Sequence, residues 1–203
     1  MNRVTASAAA LGEPSPATLA FAGVVALAER RPPAYRSSIH GLQAVHWRWL
    51  QAQGWLDAGV AWPAAAHAGG SADDFDEFGD LVALLLEHAT AGQDPRLSLC
   101  LAHAVATACM GANHLWQDLG LPDRSVLSRL MAEHFAPLKA RNHGDMRWKK
   151  FFYRELCAAA EVPICKSPSC AECVDQPVCF GPEDGLAIQA LPQAFKPAAD
   201  CAP

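Results

Sequence analysis

Between positions 165 and 179 the chain reads Cys-Lys-Ser-Pro-Ser-Cys-Ala-Glu-Cys-Val-Asp-Gln-Pro-Val-Cys. Cys165, Cys170, Cys173 and Cys179 thus stand in a C-x4-C-x2-C-x5-C spacing. Thiolates are soft ligands and suit iron–sulfur clusters, zinc and copper(I). A polynuclear cluster is several ångströms across, so its ligands must come from a loop that can wrap it. Pro163, Pro168, Pro177, Gly181 and Pro182 punctuate the segment as such a loop. A C-x4-C-x2-C start also opens the cluster loop of plant-type ferredoxins, although the fourth ligand here is close instead of remote. Structural zinc sites pair two short knuckles, and only one C-x2-C is present, so zinc is the poorer match. Redox thiols are the remaining alternative.

The other cysteines do not look like disulfide partners. The chain has eight, and four fall in that one run of fifteen residues. Cys100, Cys109 and Cys157 sit in apolar helical context and read as small buried residues. Cys201, in a tail, gets no role. This clustering favours metal in a reducing compartment. Leu19 to Ala28 is an apolar run ending in Ala26-Leu27-Ala28, which resembles a signal-cleavage site. The preceding segment, however, has Arg3 as its one cation and also carries Glu13, Pro14 and Pro16. The run is too short to span a bilayer. The expectation is a cytoplasmic protein with no membrane partner. The formal net charge of −5 gives the whole chain no footprint for nucleic acid.

With 203 residues, 51% of them hydrophobic and 18% charged, the chain suits one domain with a real core. Apolar periodicity predicts helices over about 16–30, with Ser15 as cap, and over 38–53, with Gly54 as stop. A third is expected from the acidic stretch 73–77 through 89. A fourth, starting at Asp94-Pro95 and stopping near Gly111, has small apolar residues on several faces, as a buried central helix would. Residues 113–122 read as a connector. Helices over about 123–135 and 144–160 follow, with Pro137 ending or bending the first. No strand alternation of useful length appears. The expected fold is all-α: a single helical domain over 15–185, an irregular metal-binding cysteine loop at 163–182, and loose tails at 1–14 and 186–203.

The helix before the cysteine run carries Arg147, Lys150 and Arg154 at i, i+3 and i+7, with Lys149 adjacent. Trp148, Phe152, Leu156 and Ala159 make a neighbouring apolar stripe. This is either a solvated basic face opposite a core face, or a set of cations that balance thiolates or hold an oxyanion. His114 and His134 are candidate non-sulfur ligands or proton donors, although a lone His is more often simply packed. His46, His88 and His103 show no partner pattern. Nothing pairs a nucleophile with a base, and no phosphate or dinucleotide fingerprint is present, so the residues suggest no catalysis in the usual sense and read as a four-thiolate metal protein.

Three runs together resemble the NifQ family of nitrogen-fixation proteins. They are His114 to Leu121 (HLWQDLGL), Met146 to Cys157 (MRWKKFFYRELC), and the cysteine spacing closing on Cys179-Phe180-Gly181. The resemblance implies an iron–sulfur cluster that can incorporate molybdenum, with Cys165, Cys170, Cys173 and Cys179 matching the family's cluster-binding cysteines. It implies a molybdate-like species as cargo and donation of molybdenum toward the nitrogenase iron–molybdenum cofactor. The implied partners are a cofactor-assembly scaffold and the nitrogenase iron protein as acceptors, and an iron–sulfur donor. An electron-transfer iron–sulfur protein and a zinc-stabilised helical module are the competing readings.

Overall fold

Ser15 begins the first helix as the sequence predicts: its Oγ accepts the Thr18 N–H at 3.2 Å, and Pro16 opens the first turn. A computed structural model describes residues 13–62, 77–161, 173, 176–181 and 183. Residues 1–12 of the expected N-terminal tail, the expected tail at 186–203, Cys165 and Cys170 lie outside the described residues, as does most of the expected cysteine loop. Among the described residues all regular structure is helical. No described helix is long and apolar enough to cross a membrane.

The helices are α1 (Pro16–Ala26), α2 (Ala44–Ala52), α3 (Glu77–Glu87), α4 (Pro95–Cys109), α5 (Leu115–Asp118), α6 (Arg124–His134), α7 (Ala136–Arg141), α8 (Trp148–Ala159) and α9 (Gln176–Phe180). Asp94 and Asp123 cap α4 and α6 by accepting backbone N–H groups with their carboxylates. α4 is the central helix expected from its small residues. Cys100, Leu101, Ala104, Val105 and Ala108 on it are fully buried, and Cys109 nearly so. α1, α2, α3 and α5 all pack on α4, α6 packs on α1, and α8 packs on α3.

Several boundaries differ from the sequence expectation for local reasons. The first helix gives way after Ala26 to a 3-10 turn at Ala28–Arg30. The second starts six residues later than expected, at Ala44. In between, buried Arg31 donates to the carbonyls of Tyr35, Ser37 and Ser38, which holds that stretch as a loop. Pro137 does not end helicity but opens α7, where its missing N–H costs nothing. The last long helix starts at Trp148, not 144. Buried Asn142 accepts the Met146 N–H and donates to the Met146 carbonyl, both at 2.9 Å, and this fixes a non-helical bend. The 113–122 connector contains α5.

α1 lies against the exit of α5 at two glycines. Gly120 has φ +65°, a conformation disfavoured for residues with a Cβ. A Cβ built on it would lie 2.6 Å from the Gly23 Cα, so the two backbones touch directly.

Candidate metal centre

The described end of the cysteine run is held against the start of α8 by one residue. The Arg147 N–H donates to the Cys179 carbonyl at 2.8 Å. Its guanidinium donates from Nε to the Gly181 carbonyl at 3.2 Å and from Nη1 to the Val178 carbonyl at 3.1 Å. Cys179 itself lies on α9, a five-residue helix, so this part of the segment is helical where an irregular loop was expected. The Cys173 carbonyl accepts the Gln176 N–H at 3.1 Å and leads the chain into that helix. Both cysteines are partly exposed. They are the two of the four predicted ligands that fall among the described residues.

His114, Leu115, Arg147, Trp148, Lys149, Lys150, Val178 and Glu183 line a recess of about 20 Å³. Four of the predicted site residues therefore meet here: His114 from the start of α5, and Arg147, Lys149 and Lys150 from the start of α8. His114 is buried, and its backbone N–H is taken by Gln117 Oε1 at 3.1 Å. Burial, with Arg147, Lys149 and Arg124 nearby, holds its imidazole below the usual protonation range. It is therefore a neutral imidazole at neutral pH.

The three cations of α8 have different surroundings. Lys149 Nζ is 2.5 Å from Asp118 Oδ2 and 2.8 Å from the Gly111 carbonyl, and both side chains of the pair are nearly buried. Asp118 also accepts the backbone and side-chain N–H groups of Asn113. Gly111 has no side chain because a Cβ there would fall 2.4 Å from that carboxylate. Lys150 is half-buried at the recess, and Arg154 is exposed further along α8. His134 lies elsewhere, on α6, where its Nδ1 meets Gln93 Oε1 at 2.6 Å.

Glu183 was not anticipated. Its side chain is 4% exposed, and its Oε1 is 3.0 Å from Arg124 Nη1. Arg124 Nη2 in turn donates to the Asp145 carbonyl at 2.7 Å. Glu183 Oε2 is buried and lies 3.9 Å from His114 Nδ1, and the Trp116 side chain also hydrogen-bonds this carboxylate. Burial pushes this carboxyl above its ordinary range, against the pull of Arg124 and Arg147. An acid four residues beyond Cys179 was visible in the sequence, but Arg124, which gives it a place, is 59 residues away. Among the described residues no three His, Cys, Asp or Glu side chains form a metal-holding group.

The NifQ family profile matches residues 20–181, most of the chain and all four clustered cysteines. The chain belongs to the NifQ family. Protein NifQ of Azotobacter vinelandii is 46% identical over 108 residues, which is 53% of this chain and 54% of that protein. A Protein NifQ homolog of Sinorhizobium fredii is 47% identical over 102 residues, 50% of this chain and 44% of the relative. Protein NifQ of Rhodobacter capsulatus is 50% identical over 84 residues, 41% and 46% of the two chains. The chain thus spans about half the length of the curated NifQ proteins it matches. No solved structure matches it.

Proposed function

We propose that this NifQ-family chain is a nitrogen-fixation protein that binds an iron–sulfur cluster able to take up molybdenum, and that it donates the molybdenum for nitrogenase iron–molybdenum cofactor assembly. The observation that carries the reading is the attachment of the Cys179 end of the cysteine run, through Arg147, to a recess lined by His114, Lys150 and Glu183.

The donor set fits a sulfur-rich anionic cluster. Cys173 and Cys179 are partly exposed, and the Arg147 guanidinium stands beside the second of them. Nearby positive charge favours the thiolate over the thiol. Cys165, Cys170, Cys173 and Cys179 would hold the cluster, which would supply soft coordination for iron and molybdenum. Arg147 keeps the ligand segment on the helical body. Lys150 and Arg154 supply the unburied positive charge of α8 for an incoming molybdate-like anion, and Lys149 holds Asp118 beneath them. The protein acts as a carrier, with an iron–sulfur donor upstream and the assembly scaffold and nitrogenase iron protein as acceptors.

The test is anaerobic purification with iron, molybdenum and zinc analysis and a visible spectrum, on wild type and Cys170→Ala. The expected result is a brown protein with several irons and molybdenum, both depleted in the variant. Iron without molybdenum after growth on molybdate would point to an electron carrier. Stoichiometric zinc in a colourless protein would make the cysteine segment structural.

A further inference from the structure

Side chains from α5, α6 and the start of α8 converge on the chain that leaves Cys179. Arg147 holds the carbonyls of Val178, Cys179 and Gly181. Beyond Gly181, Glu183 Oε1 accepts from Arg124 Nη1 at 3.0 Å, and the Trp116 side chain hydrogen-bonds the same carboxylate. Arg124 opens α6, and its Nη2 also donates to the Asp145 carbonyl at 2.7 Å, just ahead of α8. One guanidinium therefore ties the entry of α8 to the chain beyond the last cysteine. The fit is close. Val178 and Glu183 meet His114, Leu115 and the first residues of α8 around a gap of about 20 Å³, which is room for a water. Phe180 packs on the core with its ring beside Gly144. A Cβ on Gly181 would lie 2.4 Å from the Pro177 carbonyl oxygen and 3.1 Å from Arg147 Nη2, so the chain passes there only with a glycine. The Glu183 side chain is 4% exposed, and a carboxylate that far from water needs a charged donor such as Arg124 to offset its lost hydration.

We propose that Glu183 is a positioning residue for Cys179: seated between Arg124 and Trp116, it closes a clasp that sets the place of this cysteine before any metal binds. The inference rests on the reading of Cys165, Cys170, Cys173 and Cys179 as metal-cluster ligands, and adds to it the residue that presets one of them.

A ligand fixed beforehand loses less freedom on binding, so a clasped cysteine binds metal more tightly than one on a loose strand. Residues that orient a metal ligand without touching the metal act in this way. Arg147 holds the backbone at the cysteine itself, and Glu183 holds the chain further on, so the stretch between them cannot pivot about a single point. The clasp also gives one task to the two other runs that carry the family resemblance. Trp116 comes from the run 114–121, and Arg147 from the run 146–157.

The experiment uses the full metal-free chain as wild type, Glu183→Ala, Glu183→Gln and Trp116→Phe, with cobalt(II) as the thiolate probe. Amide exchange over 178–181 should speed up about 10-fold or more in Glu183→Ala, the weight of one charge-assisted hydrogen bond, while Phe151 and Phe152 keep their protection. Cobalt titrated against its thiolate charge-transfer absorption should bind about 10-fold more weakly to Glu183→Ala, with Glu183→Gln, which keeps an oxygen for Arg124, in between. In a Cys179→Ala background, adding Glu183→Ala should change the cobalt affinity by less than about twofold. Equal exchange and equal affinity in wild type and Glu183→Ala overturn the inference. So does a loss of affinity that persists in the Cys179→Ala background, because Glu183 then acts otherwise than through that cysteine. Trp116→Phe removes one donor but keeps an aromatic ring, and it carries the same test if Glu183→Ala does not fold. A wild type without thiolate-to-cobalt absorption removes the ligand reading and the inference together. Iron and molybdenum analysis of the anaerobically purified protein judges the donor reading separately, since the clasp is tested without either metal.

Discussion

The Arg147 N–H donates to the Cys179 carbonyl across 32 positions of sequence, while the same residue's guanidinium holds the carbonyls of Val178 and Gly181. One arginine thereby couples the start of α8 to the last cysteine of the run. Arg147→Gln keeps the backbone bond and removes the guanidinium. Hydrogen bonds from a charged donor contribute about 1.5–3 kcal/mol each, so amide exchange across 176–181 should accelerate about 10-fold or more. Exchange at the buried residues Phe151 and Phe152 should not change. Equal protection in both proteins would show that the side chain holds nothing.

Asp118 and Lys149 form a nearly buried pair, so removing one partner strands the other's charge or hydrogen-bonding groups. Asp118→Asn should cost about 3–5 kcal/mol in denaturant unfolding of the metal-free protein. Lys149→Met added to it should cost less than the sum of the two single changes. Additive losses would mean that the two side chains do not act as a pair.

The Gly23–Gly120 contact predicts that Gly120→Ala is harmful on two counts. The positive φ costs about 1–2 kcal/mol and the backbone clash about 1–3 more. Gly92→Ala is the control, since Gly92 also has a positive φ, of +83°, but no neighbour within 4 Å of a built Cβ. Thermal melts should show a clearly larger loss at Gly120. Equal losses would mean that α1 and the α5 exit are not in contact.

Burial first, and then the nearby His46 and His40, hold the His103 imidazole on α4 below its ordinary protonation range, although its Nδ1 lies 2.9 Å from the His40 carbonyl. The folded state therefore binds fewer protons here than the unfolded state. The stability this group contributes is complete above about pH 6.5 and declines as pH falls below that value toward the folded-state pKa. Melts of wild type and His103→Asn between pH 7.5 and 5.5 should show the steeper loss in wild type. Parallel curves would remove His103 as a source of acid sensitivity.

The helical fold was legible because its start signals are local. Ser15, Asp94 and Asp123 each cap within three residues of their own positions, and α4 announces its burial by having small residues all round. α5 was not legible, since four residues are too few to set a periodicity. The late start of α8 depends on one Asn side chain bonding a backbone four residues on, which no apolar pattern encodes. At the site, the cysteine spacing and the charge of α8 were readable in one dimension. What gives Lys149 its place is Asp118, 31 residues away. Glu183 gains its meaning only when α6 brings Arg124 beside it.

The burial of Cys100 and Cys109 in α4 bears on how such a chain could be loaded with iron. Each thiol is pushed up to about 12, mainly by burial. At neutral pH roughly one in 10⁵ of such groups is ionised, and the ionised form is the one that captures metal or reacts with oxidants. Both thiols are thus electrically silent inside the folded body. In a thiol-alkylation time course on the native apoprotein, α4 should stay unlabelled long after Cys179 has reacted. On the proposed iron–sulfur reading, folding itself is the selector that would keep incoming iron away from the wrong sulfurs.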